Sequence, residues 1–195
     1  MSKAAQTRQF IIERSAPLFN KKGIEATAMS DIMAVTKLSK GSLYVHFKDK
    51  EQLAQAVVDY NLQLLDKKVS AAISKVPTAK GKLLAFIDIL TNVMYPPVEG
   101  GCPMINFGME ADDTNPAINK QILTAIERAQ KTIVNIIERG TESGEFSSDK
   151  SPREFATIMF AMIEGGVVMS RVAGNNNKMK IIVKYLKAMI DEQLK

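Results

Sequence analysis

Apolar residues recur every three to four positions along nearly the whole chain, with polar or small residues on the remaining faces. Ile11, Ser15 and Leu18, with Ile12, Ala16 and Phe19, form the first such stripe and predict a helix over residues 3–22. Pro17 lies inside it and removes one backbone hydrogen bond, so a bend or a tightened last turn is expected. Gly23 suits its end. Two short runs follow. Residues 27–36 carry Met29, Ile32, Met33 and Val35 as apolar positions, with Thr27 as the expected N-cap and Asp31 near the first turn. In the run from Leu38 to Phe47, Leu38, Leu43 and Phe47 can share a buried side. Lys40, Ser42, Tyr44 and His46 are then left on or near the exposed side.

A long helix over residues 50–74 is expected to open at Asp49, with Gln52 at N3 as in a capping box. Leu53, Val57, Tyr60 and Leu64 line one of its sides. Pro77-Thr78 separates it from a helix over 78–94 bearing Leu83, Phe86, Ile87 and Leu90. Residues 95–103 read as a loop, with prolines, a Gly-Gly pair and Cys-Pro. A short helix over 104–111 comes next. Asn115 then caps, Pro116 sits at N1, and a helix runs to 143, closed by Gly144. Ser151-Pro152-Arg153-Glu154 is a capping box that opens a helix to 172. Gly174 and three asparagines break the chain before a last helix from 178 to the end. No alternation of strand type, internal repeat or low-complexity tract is present. The fold class expected is all-α, with about nine helices.

Hydrophobic residues make up 46% and charged residues 24% of the 195, enough for a real core and contrary to disorder. No apolar run reaches the roughly 18 residues needed to span a bilayer. Residues 155–169 come nearest, but the run is short and contains Glu164. The N-terminus lacks the apolar stretch of a secretory signal, so a cytoplasmic protein without a membrane partner is expected. A single cysteine excludes an internal disulfide, and Cys102 reads as a small apolar packing residue. His46 is the only histidine, which removes His-based zinc sites and Ser-His-Asp triads. No enzyme, metal or cofactor is expected.

Charge sharpens the picture. Residues 1–50 hold nine Lys/Arg and four acids, a surplus of five, whereas residues 51–195 hold seventeen of each. The whole formal excess sits in the segment with the two short helices. Such a local field favours phosphate and makes affinity salt-dependent. Two short helices joined by a tight turn, the second one basic, make a helix-turn-helix candidate.

The residues Gly23-Ile24-Glu25-Ala26-Thr27, then Asp31-Ile32, then the run from Leu38 through Tyr44-Val45-His46-Phe47 to Leu53 resemble, in order and spacing, the DNA-binding domain of TetR family transcriptional regulators. The likeness covers roughly residues 8–57. It implies a helix-turn-helix domain over residues 1–50 and a helical ligand-binding and dimerisation domain over 51–195. Lys40, Gly41 and Ser42 match the positions that meet base edges. Lys40 can donate to guanine, Ser42 suits either base type, and Val45 can meet a thymine methyl. Ser39 is the expected cap of this helix. Tyr44 and His46 resemble phosphate-facing positions, with packing as their alternative. Lys50 matches a phosphate clamp, with Lys48 beside it. Thr27, by side chain or as a cap alone, and Ala28, through its amide, are expected near phosphate. Helix one is expected to bring Lys3 or Arg8 near a phosphate. Lys37 departs from the pattern, because the family often has glycine in that turn. A positive φ there would cost about 1 kcal/mol, unless the turn differs or the lysine gains a phosphate contact.

The same resemblance implies a homodimer through the last two helices, which are rich in Phe155, Ile158, Met159, Ile163, Val167 and Met169 and in Ile181, Tyr185 and Leu186. An intrachain core is the alternative. Candidate ligand-binding residues are Phe86, Leu90, Met94, Tyr95, Met104, Phe107, Met109, Ile126 and Phe160, which can equally be ordinary core. Glu110 and Glu164 can recognise a cationic or polar group, reach solvent, or meet a partner's arginine. The function implied is a ligand-responsive regulator, a repressor, that binds palindromic double-stranded DNA as a homodimer and is released by a small apolar or amphipathic effector. The alternative is a constitutive or architectural helix-turn-helix protein.

Overall fold

Capping residues and prolines set the helix boundaries. In the computed structural model, residues 2–147 and 150–194 are described, and among them there are nine α-helices and no strand. The helices are α1 (Lys3–Lys22), α2 (Met29–Thr36), α3 (Lys40–His46), α4 (Lys50–Ile73), α5 (Ala79–Thr91), α6 (Pro103–Ala111), α7 (Pro116–Glu142), α8 (Pro152–Ala173) and α9 (Asn177–Gln193). The expected all-α class is borne out. The expected run of the last helix to Lys195 reaches outside the described residues.

Side-chain oxygens satisfy the first free amides of several helices. Ser2 Oγ accepts from the Ala5 amide, Thr78 Oγ1 from Gly81, Asn115 Oδ1 from Ile118 and Ser151 Oγ from Glu154. Asp49 Oδ1 accepts from the Gln52 amide at 2.8 Å. Gln52 Oε1 reaches back to the Lys48 amide, also at 2.8 Å, one residue earlier than an ordinary capping box. At the other end of α8, Gly174 turns left-handed with φ 65°, and its amide closes on Arg171 and Ser170.

Two expectations need correction. The helix expected over 78–94 stops at Thr91, because Asn92 leaves helical geometry and its side chain accepts from the Tyr95 amide. Met94 therefore lies in the loop. And α8, at 22 residues, is long and apolar enough to cross a membrane by length and composition alone. Half of that stretch is buried inside the chain, as in a core helix.

The chain forms two compact units. The first comprises residues up to 65 together with 98–124. Its core joins Ile11 and Phe19 of α1, Ile32 of α2, Leu43 of α3, Leu53 and Val57 of α4, Phe107 of α6 and Ile118 of α7, all essentially inaccessible. Buried Asn61 of α4 donates to the Ala16 carbonyl, tying α4 to α1. The second unit comprises residues 66–97 and those from 125 onward. Leu83 and Ile87 of α5, Ile133 and Ile137 of α7, Met159 and Ile163 of α8 and Leu186 and Ile190 of α9 form its core. Here α8 and α9 lie close because Gly166 has no side chain. A Cβ there would stand 2.8 Å from both Ile182 and Met179.

Candidate nucleic-acid interface

The first unit builds its helix-turn-helix from burial on one side only. Ile32, Leu43 and Phe47 face inward, and Arg8 of α1 stacks its guanidinium 4.7 Å from the Phe47 ring centre. Arg8 therefore begins from a position beside α3. Ser39 caps α3, its Oγ accepting from the Ser42 amide at 3.2 Å and lying 3.0 Å from Ser42 Oγ. Lys40, Gly41, Ser42 and Tyr44 are exposed, His46 is half-buried, and Val45 is 80% exposed. The Lys40 ammonium lies 6.0 Å from the Tyr44 ring centre, at the limit of a cation–π contact. The sequence-predicted residues Ser39, Lys40, Gly41, Ser42, Tyr44, Val45 and His46 thus come together on one short helix.

Gly41 is informative. A Cβ built on it would meet nothing nearer than Ser39 Oγ at 4.0 Å, so the chain's own packing has room for a side chain. A helix glycine costs roughly 0.5–1 kcal/mol relative to alanine.

The turn ahead of α3 confirms the strain anticipated at Lys37. Its φ is 59° and ψ 23°, the left-handed region, and it is the only non-glycine residue with positive φ among the described residues. The Lys37 amide still closes on the Met33 carbonyl at 2.8 Å, and the residue is exposed.

At the start of α2 the expected cap is corrected. Thr27 is completely buried, and its hydroxyl donates to the Gly23 carbonyl at 2.6 Å, so Ala28 takes the N-cap position. Alanine has no side-chain acceptor, so only the reverse half of a capping box exists. Asp31 Oδ2 accepts from the Ala28 amide at 3.0 Å and from the Lys22 ammonium at 2.6 Å. Those two bonds, that of Lys22 first, hold the Asp31 carboxyl below its ordinary value of 3.8. The amide of Ala28 is thereby engaged, while those of Met29 and Ser30 have no intrahelical acceptor by helix geometry. Lys50, at the first position of α4, reaches the Glu25 carbonyl at 3.2 Å. Lys48 is exposed beside it.

A polar junction that no sequence motif marks lies in the same unit. Buried Asn20 donates to the carbonyls of Glu99 and Gly101 at 2.8 and 3.0 Å. Asn106 of α6 donates to the Asn20 carbonyl at 2.9 Å and its Oδ1 at 3.1 Å. Lys21 pairs with Glu99 at 2.5 Å. An asparagine within the buried stripe of α1 was the available signal. Glu110, expected near a ligand, instead accepts from the amides of Ile24 and Glu25 at 2.8 and 2.7 Å.

The other ligand candidates scatter. Met104 and Phe107 are buried in the first unit, where Met109 is 72% exposed. Phe86, Leu90, Phe160 and Glu164 are buried in the second unit and Ile126 half-buried, whereas Met94 and Tyr95 are 51% and 83% exposed. A cavity of about 490 Å³ does exist in the second unit, but none of these residues lines it. Its walls include Ile73, Pro77, Lys82, Asn135, Ile136 and Arg139. Such mixed walls carry no apolar or methionine stripe in the sequence.

Comparison with known proteins bears on both halves of the chain. Residues 11–57 match the family model described as bacterial regulatory proteins, tetR family, and residues 79–186 match the one described as tetracyclin repressor-like, C-terminal domain. The chain is similar to the HTH-type transcriptional repressor DhaR of Mycobacterium sp. (strain GP1), with 25% identity over 171 residues, covering 86% of this chain and 84% of that protein. Its fold is similar to the crystal structure of a TetR family transcriptional regulator from Cytophaga hutchinsonii, with 35% identity and a TM-score of 0.93, over 100% of this chain and 98% of the other. A TetR transcriptional regulator from Chloroflexus aurantiacus J-10-FL gives 32% identity and a TM-score of 0.94 over the same shares.

Proposed function

The chain belongs to the TetR family of transcriptional regulators, and from that premise we propose that it is a homodimeric repressor that reads a palindromic operator with α3. Regulators of this family bind DNA and act as dimers. The observation that carries the reading is the outward face of α3, which has cationic and hydroxyl side chains around Gly41, whose missing side chain nothing in the chain requires. Backbone can approach a groove closely there. Lys40 is assigned to a guanine edge, Ser42 to a base edge and Val45 to a thymine methyl. Tyr44, His46, Lys37, Lys48, Lys50 and the first amides of α2 are assigned to phosphates, which fix register without reading sequence. Buried Thr27 is assigned to shaping the turn before α2.

Dimerisation is assigned to the outward faces of α8 and α9. Ile158, Val168, Met169 and Val172 on α8, with Ile181 and Tyr185 on α9, are exposed in the single chain. Gly165 lies among them with nothing within 4 Å of a built Cβ, which leaves room for a second helix. Two copies would present α3 to half-sites about 34–36 Å apart.

The effector reading rests on the cavity of the second unit, whose volume falls within the roughly 300–1,000 Å³ usual for small-molecule sites. Ile73, Pro77 and Ile136 suit an apolar body, and Lys82 and Arg139 an anionic or polar group. An amphipathic effector would act by binding the DNA-incompetent state more tightly than the competent one.

Selection of bound duplexes from a random pool at moderate salt tests the central claim. A recovered palindrome is expected. Retention of DNA with no enriched sequence would overturn it in favour of an architectural role.

A further inference from the structure

Between α1 and α2 the chain makes a turn of five residues, 23–27, held by side chains from three directions. Gly23 has φ 85°, which ends α1. The buried Thr27 hydroxyl returns to the Gly23 carbonyl, and the Lys50 ammonium donates to the Glu25 carbonyl. The third hold comes from far along the chain. Glu110, near the end of α6, places Oε2 2.8 Å from the Ile24 amide and Oε1 2.7 Å from the Glu25 amide. Both carboxylate oxygens are used, each on a different backbone N–H. Such charge-assisted bonds are about twice as strong as neutral ones. The fit is close, since a Cβ on Gly23 would stand 2.9 Å from Glu110 Oε2.

We propose that Glu110 is a positioning residue for DNA binding, whose carboxylate holds the 23–27 turn so that α2 and α3 present their outward faces together. The turn runs directly into Ala28, the first residue of the α2 cap. Any change in its path is carried into α2 and, through the Lys37 turn, into α3. Asn106, one helical turn earlier on α6, anchors the same helix to Asn20 of α1. α6 therefore grips the chain on both sides of the α1 terminus, just ahead of α2. A shift of α6 would release the turn.

The proposal rests on the DNA-binding reading, and the sign of one substitution separates it from plain electrostatics. Glu110 adds a negative charge to the unit that meets a polyanion. If charge were its whole effect, Glu110→Gln would tighten DNA binding. If it positions the turn, Glu110→Gln removes one of two bonds at nearly constant volume and sets an amide NH₂ against a backbone N–H, so binding weakens.

The experiment measures affinity of the full-length wild type and Glu110→Gln for the selected operator across a salt series, with amide hydrogen exchange on both free proteins. Expected is an operator affinity about tenfold lower, about 1.4 kcal/mol, with the salt slope unchanged because no phosphate contact is removed. Faster exchange at Ile24 and Glu25 is expected, with protection at core residues such as Leu43 and Val57 retained. Equal or tighter operator binding by the variant, or unchanged exchange at those two amides, overturns the proposal. Loss of protection throughout the unit would also overturn it, since Glu110 would then be a general stability residue. A wild type that retains no duplex would instead sink the DNA-binding reading beneath it.

Discussion

Helices α3 and α8 each carry an outward glycine that the chain's own packing does not use, yet they surround it with opposite chemistry. Around Gly41 the exposed neighbours are Lys40, Ser42 and Tyr44. Around Gly165 they are Ile158, Val168, Met169 and Val172. Other helix glycines are explained from within. At Gly140 a Cβ would fall 2.3 Å from the Phe146 ring, and at Gly166 it would meet Met179 and Ile182. A helix glycine with open space above it costs stability and returns no internal contact. The difference between the two surroundings points to two kinds of neighbour. Cations and hydroxyls suit phosphates and base edges, whereas an apolar face needs another apolar face.

The largest effect expected comes from spoiling the apolar side. Met169→Lys with Val172→Lys places two cations on a face that is exposed in the single chain, Val172 being 86% accessible. The isolated subunit should tolerate both. If that face meets a second copy, sedimentation should show monomers. Affinity for a palindrome should fall by about 10²–10⁴, the advantage of binding two half-sites at once. A dimer that survives both lysines would end the assignment of α8 as the interface and leave Gly165 without an account.

A smaller and two-sided effect is expected at the polar glycine. Gly41→Ala should raise folding stability by roughly 0.5–1 kcal/mol in denaturant titration, since the new methyl group meets only Ser39 Oγ at 4.0 Å. The same methyl group should weaken operator binding by about tenfold, because backbone could no longer approach the groove as closely. A variant that is more stable and binds equally well would mean that α3 does not use the space.

Most of the fold was legible because the relevant signals are local. Ser39, Asp49, Asn115 and Ser151 each lie three residues from the amide they cap, and prolines at 116 and 152 mark first helical positions. The outward face of α3 was legible for the same reason. Choices between two local partners were harder. Thr27 can cap α2 or bond back to Gly23, and only its burial against the first unit decides for the latter. Long-range polar pairs were not legible. Glu110 and Ile24 are separated by 86 residues, as are Asn106 and Asn20, and no periodicity announces such a meeting. The cavity of the second unit was missed because its walls mix Arg139, Asn135 and Lys82 with Ile73 and Ile136.

The smallest effect, and the one that sharpens the polar half of the comparison, concerns Lys37. Its left-handed backbone is strained for a lysine and natural for a glycine. The turn itself is well formed, with the Lys37 amide closing α2 on Met33, so the strain belongs to the residue and not to the turn. Lys37→Gly should therefore stabilise the folded chain by up to about 1 kcal/mol, offset in part by the greater freedom glycine gives the unfolded state. If the lysine side chain meets a phosphate, the same change should lower operator affinity similarly for all sequences and reduce the slope of log affinity against log salt by about one. A slope that does not move would place the ammonium in solvent. The outward lysine would then be a tolerated strain, and only the outward glycines would mark surfaces kept open for a neighbour.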